Sequence, residues 1–291
     1  MRIHGYENFI LSTRLVRALK TDKPPKNLES MIMAEILQLE QKLEFCLVRL
    51  KEKFGLRAVK AEFEAEGASF RDLSRLRRLT ARHNILLYLK IGGVEALRDI
   101  KDAFEIGVDG LVAPMVESPF GVIKFTQAVG SIFSDQKVFK SINIETRNSV
   151  ECIDEILDAA QGKIDNITIG RTDLSQSYLD PEIQPDSEFI FDLIKKLSQK
   201  VYTYGLALTV GGSVTKDSIG RFKKVKEIWE GRSLSIETRK IVLPVEDFLK
   251  KKEALEEALK FEEFYICSKL ETERLLSKAD RDRLDKLKLR I

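Results

Sequence analysis

The chain offers little sulfur and little imidazole. Its three cysteines, Cys46, Cys152 and Cys267, are odd in number, lie far apart and form no CxxC or Cys/His pattern. Neither a disulfide framework nor a zinc cluster is therefore encoded, and a reducing, cytoplasmic setting is expected. His4 and His83 are the only two histidines in 291 residues. No apolar run approaches the roughly 18 residues of a membrane span. Near the N-terminus, Phe9-Ile10-Leu11 is broken by Arg14 and Arg17 before it reaches signal-peptide length, so neither export nor membrane insertion is expected. Charge of one sign is also missing. Lys and Arg number 49 against 46 Asp and Glu, and the net +3 is interspersed, which argues against nucleic acid as a partner.

What is present is a 43% hydrophobic composition, enough for a sizeable core. From Ala58 to about Leu243, β-rich runs at 58–66, 85–91, 109–116, 138–145, 165–170, 205–210, 226–230 and 234–243 alternate with stretches of helical spacing. Eight strands with mostly helical crossovers predict a parallel sheet, closed most economically as a (β/α)8 barrel; an open doubly wound sheet is the alternative. The short link between 226–230 and 234–243 leaves one of them as a candidate adjunct.

Helices flank this core. Ile32, Ile36, Leu39, Leu43, Cys46 and Leu50 form one amphipathic stripe, and Leu255, Leu259, Ile266 and Leu270 mark another beyond Pro244. The expected organisation is a helical segment over 1–54, a barrel over 55–244 and a second helical segment over 245–291. The stripes pack on the barrel or on each other, or else join subunits into a homo-oligomer.

The chemistry is sought where barrel strands end, because side chains there point into the mouth. Glu145 closes 142-INIETRNS-149, and Asp173 follows 165-DNITIG-170. Two carboxylates brought together repel unless one keeps a proton or a cation lies between them. Oxygen ligands with positions left for water and substrate suit Mg²⁺ or Mn²⁺. The plainer alternative makes Glu145 a helix cap and Asp173 the N-cap of a turn.

The runs 108-VDGLVAPMVES-118, 142-INIETRNSVECIDEIL-157 and 165-DNITIGRTDLSQSY-178 resemble, in order and spacing, the HpcH/HpaI aldolase/citrate lyase family. The resemblance covers roughly 55–230. It implies that Glu145 and Asp173 bind the divalent metal. It also implies that the protein is a metal-dependent carbon–carbon lyase or aldolase acting on a 2-oxo acid or acyl thioester through a metal-stabilised enolate. A small acidic molecule is thus the expected partner.

Two departures stand out. The strand before V-P-M-V commonly carries an arginine in that family; here the matching residue is Lys90, which keeps the charge and loses the bidentate fork. The proton-transfer histidine of many members is missing from 58-AVKAEFEAEGA-68. That strand alternates Lys60, Glu62, Glu64 and Glu66 with apolar residues. If the charged face lines the lumen, Glu62 or Glu64 is the candidate general base or water-mediated metal ligand; if it faces out, the pattern is ordinary solvation. Lys90 joins them as a candidate catalytic or substrate-binding cation. Arg171 and Ser175, flanking Asp173, are expected to contact substrate.

Gly92-Gly93 and 210-VGGSVTKDS-218 read first as tight turns, with an anion site as the alternative. The latter loop would suit a phosphoenolpyruvate-handling barrel, and the departures would suit a non-catalytic or regulatory barrel that keeps the metal pair. The tetrapeptide IETR recurs at 236–239 and is read as coincidence, with Glu237 as the acid to examine if Glu145 fails.

Overall fold

The computed structural model describes residues 28–290; His4 and the Phe9–Leu11 segment lie outside them. Eight strands close into a barrel in chain order: β1 (Ala58–Glu62), β2 (Leu86–Lys90), β3 (Gly110–Ala113), β4 (Phe139–Ile144), β5 (Asn166–Gly170), β6 (Ala207–Gly211), β7 (Leu234–Glu237) and β8 (Ile241–Pro244). The helices among the described residues are α1 (Leu28–Phe54), α2 (Phe70–Arg82), α3 (Leu97–Ile106), α4 (Pro119–Phe133), α5 (Arg147–Glu151), α6 (Ile153–Ala160), α7 (Arg171–Gln176), α8 (Glu188–Thr203), α9 (Lys216–Lys224), α10 (Val245–Lys250), α11 (Glu253–Leu276) and α12 (Lys278–Lys288). The chain divides into two compact units, 44–263 with the barrel, and 28–43 with 264–290 among the described residues. Among the described residues no helix is long and apolar enough to cross a membrane.

The strands alternate as half-polar barrel staves should. Val59, Ala61, Leu87, Leu89, Ile142, Ile144, Ile167, Ile169, Leu208 and Val210 are buried. The other face is also buried but polar. Asn166 donates to Ser141 Oγ at 2.8 Å and accepts from Thr209 at 3.1 Å, tying β4, β5 and β6 across the lumen. Deeper, Tyr88 stacks on Phe139 with ring centroids 4.7 Å apart. Gly110 makes room for the pair, since a Cβ there would lie 2.5 Å from the Tyr88 ring.

The closure departs from an all-parallel barrel. β1 to β7 run parallel, but β8 is antiparallel to both β7 and β1. The expected strand 226–230 does not form. Lys226–Ile228 is a short 3-10 turn, held outside the sheet by the Tyr202 hydroxyl donating to Ile228 O at 2.7 Å and Trp229 Nε1 donating to Phe222 O at 2.9 Å. The expected single strand 234–243 is instead a hairpin. Thr238 N donates to Ile241 O at 2.9 Å, and Ile241 N donates to Thr238 Oγ1 at 3.1 Å.

The α1 stripe is buried at every position that the spacing marks. The C-terminal stripe is not. Leu255 is buried, but Leu259, Ile266 and Leu270 are exposed, and the covered residues of α11 include Ala254, Ala258 and Phe261. Small residues let a helix lie close to its neighbour and carry little hydropathy signal of their own, so the leucine spacing marked the wrong face.

Candidate active site at the barrel mouth

Glu145 stands directly after β4 and before a capping box. Thr146, not Glu145, caps α5: its hydroxyl accepts from Ser149 N at 3.2 Å, and the Ser149 hydroxyl accepts from Thr146 N at 3.1 Å. With the helix start satisfied by its neighbour, the Glu145 carboxylate turns inward and is only 1% exposed. Its Oε1 accepts from the Met115 amide at 3.0 Å, and its Oε2 accepts from Asn143 Nδ2 at 2.9 Å. Met115 has a left-handed backbone, φ 47°, a costly conformation for a residue with a side chain; it presents its N–H to the acid. Burial pushes the Glu145 carboxyl above its ordinary range and the nearby Asp173 adds to this, while Lys90, Asn143 and the Met115 amide pull the other way.

Asp173 is not an N-cap either. It is the third residue of α7, whose N-cap is Gly170. Its carboxylate carries no hydrogen bond among the described residues, and it lines the same cavity of about 420 Å³ as Glu145. Lys90 shares that cavity, with Nζ 3.8 Å from Glu145 Oε1.

The opposite side of the cavity is built from β1, β7 and the hairpin tip. Lys60, 6% exposed, lies 2.7 Å from Glu237 Oε1 and 3.0 Å from Glu62 Oε1. Burial alone would depress the Lys60 ammonium, but Glu237 and Glu62 outweigh it and hold the group charged. In turn burial of Glu62 is overcome by Lys60, Lys90 and Arg239, which keep its carboxyl below the usual range. The charged face of β1 thus does line the lumen. Glu62 is there an ion-paired carboxylate, which is a weak proton acceptor.

The two IETR copies are structurally parallel. Each glutamate stands at a strand end and leans over a glycine that ends a neighbouring strand, Gly170 of β5 for Glu145 and Gly211 of β6 for Glu237. A Cβ on Gly170 would collide with Glu145 Oε2, and a Cβ on Gly211 would lie 2.6 Å from Glu237 Cγ. Gly170 and Gly211 are register partners between β5 and β6, so the acids flank a floor of bare backbone.

Other expected site residues lie elsewhere. Glu64 sits beyond the end of β1, exposed and outside the lining of the cavity, because the strand and its alternation stop at Glu62. Arg171 is fully buried and does not reach the mouth. Its guanidinium donates to Gly211 O at 3.1 Å, Gly212 O at 2.6 Å and Asp186 Oδ1 at 2.5 Å, and it lies over the rings of Phe191 and Phe222. Every direction of its fork is engaged, so it clamps the loop after β6. Ser175 is buried, donates to Thr172 O at 2.8 Å and lines a neighbouring pocket bounded by Leu179 and Pro185. In the 210–218 loop, Gly212 has φ 84° and a Cβ there would be 2.6 Å from Thr172 N, so the tight-turn reading holds. The Asp217 and Ser218 amides in the first turn of α9 are taken by the Thr215 hydroxyl, which removes two of the donors an anion would use there.

Asn143, Arg239 and Glu262 also line the cavity and are not among the expected site residues, and Glu237, the reserve acid of the second IETR, lines it too. Asn143 was legible as the residue two before Glu145 on the same strand face.

The donors fit a hard divalent cation. Besides the carboxylates of Glu145 and Asp173, Asn143 Oδ1 is a buried oxygen without a hydrogen-bond partner. Among the described residues no cluster of three or more His, Cys, Asp or Glu forms. Two acids would therefore be the charged ligands, with the remaining positions left to neutral oxygen, water and substrate, the pattern that suits Mg²⁺ or Mn²⁺. At full ionisation five carboxylates (Glu62, Glu145, Asp173, Glu237, Glu262) face three cations (Lys60, Lys90, Arg239) around the cavity. The balance of two negative charges equals one such ion.

A closed eight-stranded barrel with a charged cavity at the carboxyl ends of its strands has the construction of an α/β-barrel enzyme. Over residues 85–208 the chain matches the model of the HpcH/HpaI aldolase/citrate lyase family. The resemblance read from the sequence is borne out. Among solved structures it is similar to an HpcH/HpaI aldolase from Desulfitobacterium hafniense DCB-2, with 17% identity, 67% of this chain and 82% of that one covered, and a TM-score of 0.54. It is also similar to an HpcH/HpaI aldolase/citrate lyase family protein from Burkholderia cenocepacia J2315, with 14% identity, coverage of 76% and 89%, and a TM-score of 0.54. A variant of the citrate synthase SbnG aligns at 18% identity, coverage of 70% and 81%, and a TM-score of 0.51. At these identities the likeness establishes the fold. No curated protein matches the chain.

Proposed function

We propose that the protein is a divalent-metal-dependent carbon–carbon lyase of the aldolase/citrate lyase type, acting on a 2-oxo acid or an acyl thioester, with Glu145 and Asp173 holding Mg²⁺ or Mn²⁺. The observation that carries this reading is the convergence of a buried, inward-turned Glu145 and an unbonded Asp173 on one cavity. The ion would act as a Lewis acid on the negative charge that develops at the substrate carbonyl oxygen. The chain's own residues have separable tasks. Asn143 and the Met115 amide fix the Glu145 carboxylate, and so set the direction of its remaining lone pairs. Lys90 Nζ, 3.8 Å from that carboxylate, is within reach of an acidic substrate group beside it. Glu62 is ion-paired with Lys60 and supports the lumen charge more naturally than it accepts a proton.

One observation favours a second reading, a barrel that keeps the metal pair as a binding or regulatory module. The only histidine among the described residues, His83, bonds Glu44 at 2.7 Å at the end of α2, away from the mouth. Thermal melts with Mg²⁺ or Mn²⁺, with and without pyruvate or oxaloacetate, separate the two. Metal-dependent stabilisation that a 2-oxo acid enhances, lost in Asp173→Ala, together with Mg²⁺-dependent turnover, supports the lyase. A metal response that small acids leave unchanged assigns the protein to the second reading. No metal response at all sinks both.

A further inference from the structure

The cation at the hairpin tip has no role in the reading above, and its surroundings are unusual. Arg239 lies between Thr238 and Lys240, both buried, and the Thr238–Ile241 hydrogen bonds close the turn beneath it. Its backbone is thereby fixed while its own side chain is 51% exposed. The guanidinium makes no hydrogen bond among the described residues; its nearest acid, Glu62 Oε2, is 3.8 Å away. It nevertheless lines the same cavity as Glu145, Asp173 and Lys90. Of the other two cations there, Lys60 is buried between Glu62 and Glu237, and Lys90 stands beside Glu145 with its side chain 16% exposed, so Arg239 is the most exposed of the three.

Position round the barrel gives this exposed fork a meaning. Glu145 ends β4, and Arg239 leads into β8, which stands half the circumference away in the closed order. The cavity between them, about 420 Å³, falls in the range of pockets that hold ligands well beyond three carbons. A planar guanidinium with open donors recognises carboxylate in bidentate fashion. We infer that Arg239 binds the distal carboxylate of a 2-oxo dicarboxylic acid whose oxo-acid end lies at Glu145 and Asp173 on the opposite side of the mouth. The hairpin is what permits this. A helical crossover after β7 would begin at the rim and carry the residue outward, whereas the two-way turn holds it over the opening. The inference rests on the lyase reading for the placement of the oxo-acid end, and on the hairpin geometry alone for the anion clamp.

The test uses two ligand pairs that differ only in the distal carboxylate, oxaloacetate against 2-oxobutanoate and 2-oxoglutarate against 2-oxopentanoate. Affinities are measured calorimetrically on the full chain with Mn²⁺. The wild type is expected to favour the dicarboxylate of at least one pair by tenfold or more. Arg239→Gln should abolish that preference while leaving Mn²⁺ affinity and monocarboxylate affinity within about twofold, and Arg239→Lys should restore part of it. In turnover the loss should fall on KM rather than kcat. No preference in the wild type, or an unchanged preference in Arg239→Gln, overturns the clamp. The two readings fail separately. If Mn²⁺ does not bind but the preference exists and depends on Arg239, the lyase assignment falls and the clamp stands. If Mn²⁺ and monocarboxylates bind normally and Arg239→Gln changes nothing, the reverse holds.

Discussion

Glu145 lies against the bare α-carbon of Gly170, and a single methyl group on residue 170 would overlap its carboxylate. The acid and the glycine come from neighbouring strands, β4 and β5, so the site depends on a residue that contributes no side chain. Gly170→Ala is expected to leave the barrel folded, with a stability cost of about 1–3 kcal/mol from overpacking. It should weaken Mn²⁺ binding by tenfold or more, since the displaced carboxylate loses its fixed direction. Urea denaturation and Mn²⁺ titration measure the two effects independently. Equal metal affinity in the variant would mean that Glu145 has room to move without consequence.

The pH dependence follows from the buried acid. Burial raises the Glu145 carboxyl above its unfolded value. Its favourable contribution to folding is therefore fully present below the unfolded pKa and lost as pH rises through the higher folded one. Metal binding needs the ionised form, so Mn²⁺ affinity should fall on acidification at a pH above the ordinary carboxylate range. Glu145→Gln should then make the metal-free protein more stable at neutral pH, by about 1 kcal/mol, and remove the metal response. The amide can be accommodated because Asn143 Oδ1 is a buried oxygen lacking a partner. Thermal melts in chelator and in Mn²⁺ across pH 4 to 8 check the sign of each change.

Arg171 separates structural from substrate effects. With its guanidinium bound to Gly211 O, Gly212 O and Asp186, Arg171→Met takes a donor from two carbonyls and leaves Asp186, among the described residues, with only the Ser218 and Thr215 hydroxyls. The expected cost is about 3–5 kcal/mol of stability. Any surviving folded protein should show substrate affinity that follows its folded fraction. Guanidinium chloride unfolding alongside ligand titration decides it; a KM rise in a fully stable variant would return Arg171 to the substrate.

The sequence carried the barrel as far as its sixth strand because β1 to β6 each alternate or run apolar and end before helical spacing. It failed at the close for a physical reason. The turn at Thr238–Lys240 contains no glycine, asparagine or proline, the residues by which hairpins announce themselves, so 234–243 reads as one strand and the β-rich 226–230 as another. Glu145, Asp173, Lys90 and Glu62 were legible as strand-end charges. Arg171 and Glu64 misled because proximity in sequence to a strand end says nothing of side-chain direction once the strand has stopped. Arg239 was printed in the recurring IETR, but its placement depends on the hairpin that the sequence concealed.

Reversal of β8 has an outcome for the rest of the chain. A backbone that turns down at Thr238 leaves the barrel by its floor, where α10 brings Asp247 within contact of Gly55. The next helix must climb the wall again, and Leu259 and Glu262 of α11 arrive at the opening. Residues past the last strand of the barrel thus furnish part of its doorway. Divergence in that late helix would alter what enters without disturbing a single strand.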